Sequence, residues 1–199
     1  MLPEIVSILV GYMLGSIPTA FIVAKLRKGI DIREVGRGNM GAANVMRAIG
    51  LWEGFIVAVV DLGKGAAAII VGQALGVSQP WLLGAGGAAL LGHSFPVYIG
   101  FRGGQGVATV IGVVCVLSPL VAGICCGIIG VTWLLVHHIF ASIAITAPFF
   151  PLIMWLVEGS PELVLFALAI VLFIGFRSRH GLKEMMVAIK DWRQAKKQS

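Results

Sequence analysis

Residues 35–50 read "VGRGNMGAANVMRAIG", and residues 51–76 continue "LWEGFIVAVVDLGKGAAAIIVGQALG". The boundary between these two pieces decides the fold. The first carries Gly36, Gly38, Gly41 and Gly50 with Arg37, Asn39, Asn44 and Arg47. The second is an apolar run broken only by Glu53 near its start and by Asp61 and Lys64 further in. It is long enough for a helix that crosses a bilayer, which needs roughly 20 residues. A glycine-rich polar stretch set directly against such a run reads as a loop at a membrane surface.

The rest of the chain repeats that contrast. Its 199 residues are 58% hydrophobic and 12% charged, with mean hydropathy +0.98. A soluble domain carries about 25% charged residues, so the composition excludes an ordinary water-exposed globule. Seven apolar spans are expected, at 3–26, 52–76, 80–99, 106–118, 119–136, 143–157 and 161–176, the fourth and sixth being short. Turn residues separate several of them, at Ser78-Gln79-Pro80, Ser118-Pro119 and Glu158-Gly159-Ser160-Pro161. The expected fold is all-α, a polytopic membrane bundle of about seven transmembrane helices forming a single domain over residues 1–199. Gly84, Ala88 and Gly92 put small residues on one helix face, a sign of close helix–helix contact. Trp52, Trp81, Trp133 and Trp155 fall near span ends and read as interfacial anchors. Cys115, Cys125 and Cys126 lie inside apolar runs without metal-ligand spacing and read as small buried hydrophobes. No basic segment or cleavage site marks a leader peptide, so the first span is expected to remain as a helix.

Charge predicts the orientation. Lys25, Arg27, Lys28, Arg33, Arg37 and Arg47 gather around segment 27–50, Arg102 sits in 100–105, and seven cations from Arg177 to Lys197 occupy the tail. The opposite side offers only Glu4, Glu158 and Glu162. By the positive-inside rule, the two loops, the 137–142 turn and the C-terminus face the cytoplasm, and the N-terminus faces out. The net charge of +6 is thereby concentrated on one face, where the tail cations can also hold anionic headgroups.

A second glycine loop appears on the same face. Residues 102–110, "RGGQGVATV", match 37–45, "RGNMGAANV", as R-G-x-x-G-x-A-x-V. Glycine-rich turns let backbone N–H groups converge on an anion, and a neighbouring arginine adds a bidentate cation. Gly36, Gly38 and Gly41 in one loop and Gly103, Gly104 and Gly106 in the other are therefore candidate phosphate ligands, although tight turns between helices would use the same residues. Arg37, Asn39, Asn44, Arg47 and Gln105 are the polar groups beside them.

Other polar residues stand where a bilayer makes them costly. Asp61 and Lys64 share a helix face within a span, which suits either a functional pair or a structural salt bridge. His93 lies near the inner end of the third span, as a candidate base or a structural hydrogen-bonding group, and Ser142 is placed in the following cytoplasmic turn. No Ser–His–Asp set, HExxH, paired carboxylates or P-loop is visible, and neither a metal nor a cofactor is expected. An enzyme without a protein nucleophile needs an activated substrate. An acyl phosphate is one, and positioning with charge stabilisation would then carry the catalysis.

"GSIPTAFIVAKL" at 15–26, "GRGNMGAANVMRAIG" at 36–50, "DLGKG" at 61–65 and "GHSFPVYIGFRGGQGVAT" at 92–109 resemble the PlsY-type family of bacterial acyl-phosphate:glycerol-3-phosphate acyltransferases. The resemblance implies transfer of a fatty acyl group from acyl phosphate to the sn-1 hydroxyl of glycerol 3-phosphate, giving lysophosphatidic acid for phospholipid synthesis. It implies a multi-pass protein of the bacterial inner membrane, with its active face in the cytoplasm. Partners would be the two substrates and the bilayer; a monomer is expected and no nucleic acid. Gly36, Gly38, Asn39, Gly41, Asn44 and Arg47 match the first family motif, with Arg37 in place of a serine and Ala43 in place of a threonine. Gly92, His93, Phe95, Gly103, Gly104 and Gly106 match the second, with Gln105 replacing a lysine. Ser142 falls at a phosphate-region serine. In the third motif Arg179 matches, Ser178 and Gly181 stand where histidine and asparagine are expected, and His180 is a nearby substitute. Arg37 would supply the cation lost at Gln105. Two other functions remain open at this point: a paralog that binds acyl phosphate or lipid or uses another acceptor, and a small-anion transporter. Two similar loops on one face argue against the transporter, whose site would lie at mid-membrane on inverted repeats.

Overall fold

The structure, a computed structural model, describes the backbone of residues 1–198 and the side chains of residues 1–179. Ten α-helices follow one another: α1 (Leu2–Ser16), α2 (Thr19–Lys28), α3 (Ala42–Ala48), α4 (Leu51–Ala74), α5 (Gln79–Ser94), α6 (Val107–Leu117), α7 (Pro119–Val136), α8 (Ile139–Thr146), α9 (Phe150–Glu158) and α10 (Pro161–Gln198). The all-helical expectation holds, with no strand among the described residues. Six stretches are long and apolar enough to cross a membrane, taking α1 with α2 and α8 with α9 as single stretches. Leu172, 74% exposed on α10, is one of many large apolar side chains left on the outer surface, as a lipid-facing wall requires.

Three details depart from the expected spans. The first span is not one helix but breaks at Ile17–Pro18, because proline has no N–H for the helical ladder. Lys64 of α4 donates to the Ile17 carbonyl at 3.1 Å, and its ammonium pairs with Asp61 at 2.9 Å. Next, α6 has only 11 residues, a rise of roughly 16 Å against a hydrocarbon core of about 30 Å. The glycine loop that precedes it is therefore recessed into the bundle. Finally, the sixth span is two short helices separated by a single 3-10 turn at Ala147–Phe149, with Pro148 and Pro151 at the junction. Ser142, expected in a turn, lies on α8.

Small residues set the closest helix contacts. A Cβ on Gly11 of α1 would stand 2.5 Å from the Ala85 carbonyl oxygen of α5, and Gly15 meets Ala89 in the same way. Gly92 of the Gly84–Ala88–Gly92 face abuts the Tyr12 carbonyl. Gly65 of α4 and Gly112 of α6 press on the carbonyls of Thr109 and Leu62. Helices α1, α4, α5 and α6 thus pack backbone to backbone, as small-residue faces allow in a membrane. A second core joins α6, α7, α9 and α10 through Val114, Val121, Met154 and Ala167. A third, of Ala20, Ala24, Ile32, Met40, Val45 and Val57, fastens the 30–45 segment against α2 and α4.

Candidate active site

The first loop is shaped from within. Asp31 caps the turn at Ile32–Glu34, and the Arg33 guanidinium returns to its carboxylate at 2.6 Å. That neighbour holds the Asp31 carboxyl below the usual carboxylate range, and Asp31 in turn raises Arg33. Arg33 also donates to the Ile99 carbonyl at 2.9 Å, tying this loop to the second. At the centre sits Asn44, 4% exposed. Its side-chain oxygen accepts the Arg37 N–H at 3.1 Å, and its amide donates to the carbonyls of Val35 and Asn39, both at 3.0 Å, and of Ile32 at 3.3 Å. Gly36 takes φ +65°, where a Cβ would strike that same oxygen. Asn44 therefore holds the loop together from within, where the sequence reading had it beside a phosphate.

The second loop spends its amides in the same fashion. The Gly103 N–H donates to the Ser94 carbonyl and the Gly104 N–H to the His93 carbonyl, both at 3.1 Å. These two N–H groups do not converge on an open anion site, again contrary to expectation. Gly104 lies flat on the His93 ring, and any Cβ there would collide with Nε2. His93 is 7% exposed and faces Asp61 across 3.8 Å from its Nδ1. It is not among the residues that line the cavity described below. Asp61 and Lys64 are buried beside it and bond the broken first span, which is the structural alternative the sequence left open.

The two loops do share a cleft. A cavity of about 510 Å³ opens between Arg37, Asn39, Gln105 and Arg177 and runs down an apolar wall supplied by α6, α7, α8 and α10. Gly38 and Gly103 belong to its rim. Arg37 stacks on the Phe140 ring at 4.9 Å to the centroid, and Arg47 approaches the same ring at 5.9 Å. Two cations thus approach one aromatic ring with no described carboxylate bonded to either. Gly36 is an exposed turn residue, Gly41 precedes α3, and Gly106, at φ +86°, opens α6. Ser142 is fully buried and donates to the His138 carbonyl, so its hydroxyl does not face the cavity. Arg179 is exposed and rests on Phe176, outside the cleft. His180 and Gly181 lie outside the residues whose side chains are described.

Arg177 escaped the sequence reading, where it counted only as a tail charge. It projects from α10 into the rim, and its Nη2 donates to the Gly103 and Gly104 carbonyls at 3.2 Å and to Ser94 at 3.4 Å. The signal was its spacing: Ile170, Ile174 and Arg177 lie at i, i+4 and i+7, one face of one helix.

A membrane bundle whose cleft is cationic at its mouth and apolar along its depth is built to hold a molecule with one phosphorylated and one hydrocarbon end. The family model described as glycerol-3-phosphate acyltransferase matches residues 5–188, and the chain belongs to that family. Curated relatives of that name include one from Geobacter sulfurreducens, 37% identical over 186 residues, covering 93% of this chain and 95% of the relative. Another, from Symbiobacterium thermophilum, is 40% identical over 178 residues, 86% of each chain. Among solved structures, PlsY, an integral membrane glycerol 3-phosphate acyltransferase, superposes in its glycerol 3-phosphate form with TM-score 0.87 at 32% identity, over 93% of this chain and 92% of that one. Its lysophosphatidic acid form gives TM-score 0.84 at 31% identity.

Proposed function

We propose that this protein transfers a fatty acyl group from an acyl phosphate to the sn-1 hydroxyl of glycerol 3-phosphate. The observation that carries this reading is the cleft, with Arg37, Gln105 and Arg177 at its mouth and a long apolar wall below. In the transfer, the hydroxyl oxygen bonds to the acyl carbon and the acyl–phosphate C–O bond breaks. The hydroxyl proton leaves with the departing inorganic phosphate. The mixed anhydride brings its own leaving group, so the protein's part is to hold two phosphates and one carbonyl in register. Arg37 and Arg47, aligned on Phe140, and Arg177 on the opposite rim supply the positive charge. Asn39 and Gln105 add neutral polar groups. The apolar wall receives the acyl chain, which water would not accommodate. Asn44 and the His93 carbonyl hold the loops that carry these groups, and the Asp61–Lys64 pair braces the broken first span.

The excess of Lys and Arg around the two loops supports a cytoplasmic mouth, an external N-terminus and residence in a bacterial inner membrane. The test is donor choice. Purified protein is given labelled glycerol 3-phosphate with palmitoyl phosphate, palmitoyl-CoA or palmitoylated acyl carrier protein in turn. Lysophosphatidic acid should form with the phosphate alone; formation with only a thioester would overturn the reading.

A further inference from the structure

Resting on that reading, we propose that the cleft measures the acyl chain and that Phe150 is its end stop. The lining residues fall into levels along antiparallel helices. Arg177 stands at the mouth, and Ile170 on the same helix is seven residues deeper, a drop of about 10 Å. Val107 and Val114 bracket the same depth on α6. The floor is made by Val114, Ala122, Phe150 and Ile170, which are 3%, 5%, 8% and 4% exposed. Behind them Val121 and Met154 are fully enclosed in the same core. At this level the cleft ends against packed protein, while Cys126 and Gly175 leave part of its side wall exposed. Phe150 is the bulkiest of the four floor residues, opposite two small ones. It is also held firmly, since the Pro148–Pro151 junction fixes the backbone on either side of it.

An extended hydrocarbon chain advances about 1.25 Å per carbon, from a C–C bond near 1.5 Å. Each carbon added within the cleft gains the burial of one methylene, roughly fourfold in binding. A carbon added beyond the floor gains nothing, because it must turn aside or remain unburied. The dependence of substrate binding on chain length should consequently break at a definite length, and the side chain at position 150 sets it.

The experiment uses the intact protein in micelles of fixed composition, with acyl phosphates of four to eighteen carbons as donors, because a depth of about 10 Å at 1.25 Å per carbon puts the floor near eight carbons. The affinity of the matching unreactive n-alkyl phosphates is measured in parallel. For the unaltered protein, KM and Kd, expressed on the concentration of ligand monomer free in water, should fall roughly fourfold per carbon up to a break and be flat beyond it. Phe150→Ala should move the break to chains about three carbons longer, the reach of a phenyl group at 1.25 Å per carbon. Phe150→Leu should move it by less, and Ala122→Phe should move it to shorter chains. A break that stays in place across these variants, or a smooth dependence with none, overturns the end stop. If no lysophosphatidic acid forms at any length while the alkyl phosphates show the shifting break, the transfer reading fails and the measuring cleft stands.

Discussion

The side-chain oxygen of Asn44 accepts the backbone N–H of Arg37 at 3.1 Å. A single buried amide on α3 thereby sets the direction of the loop that lines one edge of the cleft. The same side chain satisfies three loop carbonyls.

Asn44→Ala should accordingly unmake the loop without unfolding the bundle. Each lost bond is worth about 1 kcal/mol, and the groups left unpaired cost more. Loss of about 3 kcal/mol of organised geometry corresponds to roughly a hundredfold in rate. The expected result is a drop of that order in kcat/KM for glycerol 3-phosphate, with the melting temperature lowered by only a few degrees. Unchanged kinetics would show that the loop does not need this support.

Arg37 and Gln105 border the same cavity, and Arg37 is the cation of the two. Arg37→Ser should raise KM by at least tenfold, since a charged hydrogen bond is worth about 1.5–3 kcal/mol. Combining it with Gln105→Lys should restore most of the loss, the signature of one charge moved across a shared cleft. Wild-type kinetics for Arg37→Ser would contradict the assignment.

The helix contacts give a stability prediction. Gly65→Ala and Gly112→Ala each place a methyl against a backbone carbonyl of the facing helix, which cannot retract as a side chain can. Each should cost about 1–3 kcal/mol, read as a lower unfolding temperature in detergent. Gly127→Ala on α7, with open space around the site, should be neutral or slightly stabilising.

The loop anchor is sensitive to acid. Hydrogen bonding from Arg33 lowers the Asp31 pKa in the folded protein, so stability rises with pH wherever the unfolded chain still binds the proton that the folded one has released. That stabilisation is present above the unfolded value of about 3.9 and is lost as pH falls through the depressed folded value. Asp31→Asn should therefore be less stable than the parent at neutral pH, and the difference should vanish in strong acid. A difference that grows toward low pH would have the wrong sign.

Much of the fold was legible because membrane physics leaves few choices. Uninterrupted apolar runs can only be helices, and their glycines mark where helices touch. The break at Pro18 was missed because the run from 3 to 26 is apolar on both sides of it, and only Lys64, far away in sequence, repairs the broken ladder. The site was half legible. Glycines beside arginines located the loops, but sequence does not say which way a backbone N–H points. Those of Gly103 and Gly104 turned inward to Ser94 and His93. Likewise the residue type of His93 does not tell that Gly104 lies against its ring or that it sits buried beside Asp61. Arg177 was hidden among tail charges until α10 brought it over the rim.

The most direct test of the account couples two products in one assay. Purified protein is incubated with palmitoyl phosphate and labelled glycerol 3-phosphate, and inorganic phosphate and lysophosphatidic acid are counted together. One phosphate should be released for each lysophosphatidic acid formed, with neither appearing when glycerol 3-phosphate is omitted. Phosphate released without acylated product, or no turnover of either substrate, would contradict it.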